Sequence, residues 1–537
     1  MHAPRRSISS TTLAIIVIVV VVVAAVGGYA AYLASRHHVT TTTVTTTTTT
    51  VTITTPITTT TPITTTTTTP VTSITFYTWW ATTGKVALEH LIPVFEQYNP
   101  PYTVTPEIIP GAGGTNAKFA IAGMMEAGKP PATFQVHFGP EMASYALIIS
   151  PKAFVNFTPI AIKMGVWTGA VTEALLSGTF NGSLLSMPVN VHRGALLYIN
   201  IKLLREYNLP LPTNLSTLIY DTVQLAQHGV TPWIVAGADG GWDQLNLWED
   251  IFLSLAVQEY GLAGGARLYN EFVYGTIDLA NTSIQQLINE TDELFLNFTS
   301  YDYPGWQSIT WIPGLTDLVE GKVAFQANGD WETNYAYDFL NVTTYPAIEP
   351  YISWPNVTVV VEPFPGTNGT YALVIDAIGV PQPYPTTEAG IRFAEFWASY
   401  AGQEVWTKWK ATTFWKNATD WFNTPEQWWS HEQLVSTPAD LFVYQLSDGG
   451  LFDDVFAAWI SQVLALQQTG PVYIPAYNAH LASLVQQECE DWLAAGKIGL
   501  GYLGIAGQPF AGYVPPWVIV PGYYFNSSYV CPTYTPP

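Results

Sequence analysis

Basic residues are scarce: 18 lysines and arginines stand against 40 acids in 537 residues, and charged residues of both signs make up only 11% of the chain. Without a basic patch to neutralise phosphates, nucleic acid is excluded as a partner. The formal net charge of −22 also bears on the solvent. In strong acid the carboxylates protonate while every Lys, Arg and His is positive, so a chain with few bases avoids severe self-repulsion. That balance suits an acidic extracellular medium and equally an ordinary acidic surface protein. Cysteine is scarcer still, with Cys489 and Cys531 alone. No CxxC or CxxH spacing exists, so a structural zinc site has no support. The two thiols either form one disulfide, as an oxidising exterior permits, or are unrelated and buried. The glycine-rich stretch "PGAGGTNAK" lacks the GKS or GKT of a Walker loop, and no GxSxG nucleophile motif occurs. No metal and no cofactor is implied.

Apolar and aromatic residues are plentiful, at 48% and 14% of the chain. Residues 13–34, "LAIIVIVVVVVAAVGGYAAYLA", form an uncharged run long enough to cross a bilayer, and Arg5 and Arg6 precede it. No A-x-A cleavage site follows, so the run is expected to be retained, with the short basic end inside and the large acidic part outside. Residues 39–72 are nearly all threonine and cannot bury a core; they read as an extended, O-glycosylated stalk. N-x-[ST] sequons recur at Asn156, Asn181, Asn214, Asn281, Asn289, Asn297, Asn341, Asn356, Asn368, Asn417 and Asn526, a density that fits a glycosylated exterior protein. "RRSISSTTLAII" resembles the leader of archaeal type IV pilin-like precursors, which implies a cut after Ser7, with Ser where Gly or Ala is commoner.

From Ser73 the pattern is α/β. "ITFYTWW", "YTVTPEII" and "ATFQVHFG" read as strands, and "KVALEHLIPVFEQYN" and the segment after the glycine loop as helices. Strand–helix–strand order implies a parallel sheet with functional groups at strand C-termini. Trp80, the glycines at 111–114, and Gln135 to His137 all fall at such ends. Adjacent strand residues face opposite sides, which sends Trp79 to the sheet packing and Trp80 to a cleft, or the reverse if the phase is shifted. The glycine loop is either a plain turn into a helix or a set of N–H donors that approach a ligand closely.

The segments "FYTWW", "IPGAGGTNAK", "AGKPPATFQVHFGPEM", "MPVNVHRGALLYIN" and "GKVAFQANGDW" resemble ABC-transporter extracellular solute-binding proteins of the maltose- and glucose-binding type. The likeness is strongest to the membrane-anchored, glucose-binding members in thermoacidophilic archaea. It runs on through "GADGGWDQLNLWED", "SYDYPGWQS", "VYQLSDGGLFDDVF" and "WLAAGKIGLGYLG", to about residue 520. It implies a two-lobe, periplasmic-binding-protein-like α/β fold with hinge-crossing strands, preceded by one transmembrane helix and a disordered Thr-rich stalk. The implied layout is a basic leader at 1–7, an anchor helix at 8–36 and a stalk at 37–72. The N-terminal lobe takes 73–190 and 372–416, and the C-terminal lobe takes 191–371 and 417–537.

The resemblance also implies a ligand and a site. The ligand is a monosaccharide, glucose first, with galactose and mannose as further candidates. The implied partners are ABC permease subunits with a cytoplasmic ATPase, the membrane through the N-terminal helix, and self-assembly through a pilin-like helix. Sugar contacts carry over to Trp80, Gly111, Ala112, Gly113, Gln135 and His137 in one lobe, and to Trp242, Trp306, Asp330 and Trp331 in the other. Lys410 and Asp448 are weaker candidates, with solvation as the plain alternative for Lys410. Aromatic faces would cover the apolar C–H patches of a pyranose, and a carboxylate such as Asp330 would accept from two vicinal hydroxyls. Twenty tryptophans make any one of them more often a core residue than a ligand. His137 can be structural, Asp330 can be a helix cap, and His192 and Arg193 read as hinge braces. Some relatives carry an acidic residue a few positions past the WW pair; here Thr82, Thr83 or Gly84 stands in its place, so the acceptor at that hydroxyl is either weaker or supplied elsewhere.

Two other classes compete with a receptor. A glycoside hydrolase needs two carboxyls facing one bond roughly 5–10 Å apart; Asp448, Asp453, Asp454 and Asp330 are available, and nothing marks a pair. A pilin-like or S-layer-associated interaction protein suits the leader and stalk as well as a receptor does. The receptor reading carries no chemistry, so the chain is expected not to be an enzyme.

Overall fold

The computed structural model describes residues 71–180, 182–498, Leu500 and Cys531. The leader at 1–7, the anchor segment at 8–36, all but the last residues of the 37–72 tract, and the sequons at Asn181 and Asn526 lie outside them. Among the described residues no helix is long and apolar enough to cross a membrane. Every sequon asparagine within them is exposed.

The chain begins with β1 (Ser73–Thr78), β2 (Thr103–Ile108) and β3 (Thr133–His137), alternating with helices α1 (Thr83–Tyr98), α2 (Thr115–Glu126) and α3 (Pro140–Ile149). Strand β4 (Ser186–Pro188) follows. Through β5 (His192–Arg193) the chain enters β6 (Leu196–Asn200), β7 (Thr231–Trp233), β8 (Val323–Asn328), β9 (Tyr345–Pro346) and β10 (Val359–Pro363), with α4 (Trp242–Val273) and α5 (Trp331–Leu340) among them. It returns through β11 (Tyr371–Val374) and β12 (Asp376–Gly379) to α6 (Tyr400–Thr407). A last passage, β13 (Phe442–Tyr444), leads to α7 (Asp453–Thr469) and α8 (Ile474–Lys497).

Two five-stranded sheets result, one per lobe. The first has the order β2-β1-β3-β12-β4, with β1 parallel to β2 and β3, and β12 antiparallel to β3 and β4. The second has the order β9-β10-β6-β8-β7. Between them β13-β11-β5 forms a three-stranded sheet, so the chain crosses the hinge three times. The resemblance gives the first two crossings. The third is too short, at three residues, to stand out in a stretch of scattered apolar residues.

Helix α1 shows why these elements form. Ala87, Leu88, Leu91, Ile92 and Phe95 recur at helical spacing and are all buried against the first sheet. Each fully buried large apolar side chain contributes about 1.5–3 kcal/mol, and Phe76 of β1 meets Phe393 and Trp397 edge-on in the same core. Helix α7 packs chiefly on α4 of the second lobe and also touches α2 and α3 of the first, so it bridges the two lobes. The two cysteines are joined as a Cys489–Cys531 disulfide, which resolves the alternative left open by sequence.

Candidate functional site

A cavity of about 260 Å³ lies where the lobes meet. The C-terminal ends of three parallel strands supply its first wall: Trp79 to Thr83 past β1, Pro110, Gly111, Gly113 and Gly114 past β2, and His137 closing β3. This is where a parallel sheet places ligand groups. The second lobe supplies Asp239, Trp242 and Trp331 at the starts of α4 and α5, and Thr310, Trp311 and Ile312. The hinge supplies the floor, with His192, Val374, Asp376, Lys410 and Asp448.

Eight of the residues expected from the resemblance reach the wall: Trp80, Gly111, Gly113, His137, Trp242, Trp331, Lys410 and Asp448. Four do not. Gln135 is fully buried beneath the floor, where its Nε2 donates to Asp376 Oδ1 at 2.7 Å and its Oε1 accepts from Trp79 N at 3.3 Å. Ala112 instead faces Gly240 of the opposite lobe, where a Cβ on that glycine would lie 3.8 Å from the Ala112 methyl. Trp306 covers Gly237 behind the wall, and its carbonyl accepts from Gly237 N at 2.9 Å. Asp330 is 1% exposed. Its Oδ1 accepts a hydrogen bond from His192 Nδ1, and its Oδ2 accepts from Arg193 N at 3.0 Å. With both oxygens committed to the crossing strand β5, Asp330 braces the hinge, and it makes no side-chain cap to α5.

Both indoles of the WW pair line the cavity, because they lie past the end of β1, where strand alternation no longer applies. Their burial reverses the first assignment. Trp80 is the deeper ring, packed on Phe76, Trp397 and Trp406, while Trp79 is half-buried and lies against His137 at 5.1 Å. The Lys410 ammonium sits 5.2 Å from the Trp80 ring centre, within cation–π range.

The floor is a chain of charges. Asp376 Oδ1 accepts from Gln135, and Oδ2 accepts from Asn190 Nδ2 at 2.8 Å. His137 Nε2 and His192 Nε2 each lie 3.5 Å from it. Burial alone would raise the Asp376 carboxyl, but the charges of His137 and then Lys410 outweigh it and hold the group below its ordinary range. Behind His137, Glu141 accepts from its Nδ1 at 2.7 Å and from Lys118 Nζ at 2.8 Å. Burial opposes ionisation of Glu141 too, yet Lys118 and His137 pull it down to about 2. Burial would lower the His137 imidazole, but Glu141 outweighs it and raises the group above its ordinary range. His192 behaves oppositely: burial, then Lys410, keeps it neutral. Lys410 has only N–H to give, so His192 Nε2 accepts from it at 2.6 Å, which puts the ring proton on Nδ1 facing Asp330.

Asp448 accepts from Trp242 Nε1 at 3.1 Å and is pushed up to about 6 by burial. Asp239 accepts from Trp311 N at 2.7 Å and is likewise raised by burial to about 6. The wall thus offers flat indole faces, an ionised carboxylate, two carboxyls poised near neutrality and a cation, which together can hold a small polyhydroxyl compound. No group of three or more His, Cys, Asp and Glu side chains able to hold a metal ion occurs among the described residues.

Sequence reasoning missed Asp376, Asp239, Trp311 and the cavity-facing role of His192. Asp376 interrupts the apolar run "LVIDAIGV", a signal that an acid is buried there for a reason. Thr82 and Thr83, just past the WW pair, do reach the wall.

The lobes abut across the cavity at the glycine loop. A Cβ on Gly113 would lie 2.9 Å from Trp242 Cγ, and Gly113 has φ +57°. Gly113→Ala is therefore expected to hold the lobes apart and weaken ligand binding about tenfold, roughly 1.4 kcal/mol, in calorimetry. Unchanged affinity would show that the loop and Trp242 are not in contact when ligand is bound.

Residues 81–404 match the bacterial extracellular solute-binding protein family. The chain is 56% identical over 454 residues to the glucose-binding protein GlcS of Saccharolobus solfataricus, across 84% of this chain and 80% of that protein. It is 28% identical over 341 residues to an uncharacterized ABC transporter extracellular-binding protein of Pyrococcus horikoshii, across 61% and 67% of the two chains. Among solved structures, a chitin oligosaccharide binding protein superposes with a TM-score of 0.61 at 16% identity, over 77% of this chain and 98% of the other. Maltose-bound MalE3 of T. maritima gives 0.55 at 14% identity, over 77% and 99%. At such identities the two structures speak for the fold.

Proposed function

The chain belongs to the bacterial extracellular solute-binding protein family; it is an extracellular sugar-binding receptor, and we propose that its ligand is a single uncharged hexose of the glucose type, closed between the lobes and handed to a membrane permease. The observation that carries this reading is the cavity itself. At about 260 Å³ it falls just under the range that holds drug-sized ligands, roughly 300–1,000 Å³. Trp79, Trp80, Trp242 and Trp331 offer faces to the C–H patches of one ring, and Asp376, Asp448 and Lys410 offer acceptors and donors to its hydroxyls. Asp376 takes the acceptor role that the missing acid after the WW pair leaves open. The 56% identity to a glucose-binding protein supports glucose as the first candidate.

In this reading lobe closure creates the surface that the permease recognises, and a cytoplasmic ATPase drives transport. Residues 8–36 anchor the chain, 37–72 space it from the membrane, and the exposed sequons carry glycans. Calorimetric titration with glucose, galactose and mannose tests the ligand. Saturable one-to-one binding of glucose, with galactose and mannose ranked against it, is expected; no heat with any of the three would end the hexose reading.

A further inference from the structure

His137 and His192 both line the cavity, yet their rings face different neighbours. His192 Nε2 faces a donor, the Lys410 ammonium, at 2.6 Å. Both ring nitrogens of His137 face carboxyls: Nδ1 lies 2.7 Å from Glu141 Oε2, and Nε2 lies 3.5 Å from Asp376 Oδ1. A neutral imidazole has one N–H and one lone pair. A lone pair turned on a carboxylate is repelled, so a ring with a carboxylate at each nitrogen favours two protons. The Asp376 distance exceeds the ordinary hydrogen-bond length of about 2.7–3.2 Å. The Nε2 proton therefore stands in the cavity with room for a better acceptor.

The hold on this ring comes from two residues that do not line the cavity. Glu141, fully buried in the first turn of α3, accepts from the His137 backbone N at 3.1 Å as well as from Nδ1, and so fixes the direction of the ring. Lys118 of α2, buried as well, donates to Glu141 Oε2 at 2.8 Å. A buried ion pair adds little net stability over an apolar filling of the same volume. The fold gains little from Lys118 and Glu141, whereas His137 gains a fixed direction and a second proton. Resting on the sugar-receptor reading above, we propose that Glu141 and Lys118 are positioning residues for the ligand: Glu141 keeps His137 turned and doubly protonated, so that Nε2–H donates to a sugar hydroxyl, and Lys118 keeps Glu141 ionised while limiting how tightly the ring holds its proton.

The charged and titratable groups that face the ring are Glu141, Lys118, Asp376, Asp448 and His192. Glu141 raises the ring and Lys118 lowers it, so removing them acts in opposite directions, which a loss of packing does not. The test follows imidazole and ligand together in the full chain, by NMR of isotope-labelled histidines, with the His137 signal assigned through His137→Gln, and by calorimetry with glucose across the same pH series. Glu141→Gln is expected to lower the His137 midpoint by roughly 1 pH unit or more. At the wild-type midpoint the donor is then present in about a tenth of the molecules rather than half, which weakens glucose roughly fivefold. Lys118→Met is expected to raise the midpoint, and in each chain the pH at which affinity falls moves with it. The double variant Lys118→Met with Glu141→Gln buries no unpaired ammonium and covers a failure of Glu141→Gln to fold; its midpoint is expected below wild type, because Glu141 is the stronger influence. Asp448 titrates nearby, so the NMR midpoint assigns the change to His137. Midpoints that stay still, or that move the same way in both single variants, overturn the proposal. A glucose affinity that ignores the His137 midpoint also overturns it and leaves the hexose reading intact. Opposite midpoint shifts with no heat from glucose in any chain remove the hexose reading, and the ligand role of His137 with it.

Discussion

An Asp376→Asn chain is expected to lose about 2–5 kcal/mol of hexose affinity, roughly 30- to 5,000-fold, in calorimetric titration. The carboxylate is buried on the cavity floor, and each of its oxygens already accepts from one amide NH2, of Gln135 on one side and Asn190 on the other. An asparagine of the same shape must aim its own NH2 at one of those donors. It also removes the negative charge that His137, Lys410 and His192 surround. The remaining lone pairs are those a sugar hydroxyl would use, so the substitution damages both the ligand contact and the array that aligns it. Circular dichroism should show the fold retained. Binding within threefold of the wild-type chain would place the anchoring acceptor elsewhere, with Asp448 next in line.

The second large effect concerns pH. Burial raises many carboxyls of this chain: Asp221, Asp302 and Glu249 to about 7, and Asp292 and Glu426 to about 8. Asp221 shows the cause most plainly, since neither of its oxygens has a hydrogen-bond partner among the described residues. An acid whose folded pKa is raised binds its proton more tightly in the native state. Its contribution to stability is fully present below the unfolded value near pH 4 and is lost as pH climbs toward 7 or 8. His137, also raised, adds stability that fades in the same direction. Glu141, lowered to about 2, works oppositely: its contribution is present above the unfolded value and lost as pH falls through about 2. Stability should therefore peak between about pH 3 and 5, below the usual maximum near pH 5 to 8. Each tenfold change in proton affinity corresponds to about 1.4 kcal/mol. Even a fraction of the full displacement over five acids lowers stability by on the order of 5 kcal/mol between pH 4 and 8, about 5 °C of melting midpoint for a folded part of this size. Scanning calorimetry across pH 2 to 9 measures it, and a midpoint that rises from pH 4 to 8 would falsify the account. The same result separates the two readings of the charge balance, because an ordinary acidic surface protein has no store of protonated interior acids.

Much of the site was legible in the sequence, for a physical reason. Strand C-termini are where a parallel sheet presents its loops, so the indole pair, the glycine loop and His137 could be placed together from strand–helix order alone. What failed was phase and commitment. Trp79 and Trp80 follow a strand rather than sit in it, so alternation could not say which ring goes deeper. Asp330 had the right chemistry for a sugar, but the His192 imidazole and the Arg193 backbone N–H, neighbours in the chain and far from Asp330 in sequence, claim its oxygens. Asp376 is legible only once β12 is known to pass beneath the cavity, because in the sequence it is one acid in an apolar strand. Trp311 belongs to a short segment held in place by Asp239, a contact between residues 72 apart, and no periodicity reveals such a contact.

The place of β12 in the first sheet has a bearing on how the chain is made. That strand, at residues 376–379, lies between β3 and β4, whereas every strand of the second sheet falls within residues 196–363. As the polypeptide leaves the ribosome, the later lobe has its whole sheet in hand while the earlier one still has a gap at its middle. Vectorial synthesis usually lets the leading domain fold first; here the leading lobe must wait for the trailing one, and a nascent chain that has emerged as far as residue 365 would hold one finished sheet and one open pair of edges in need of shelter.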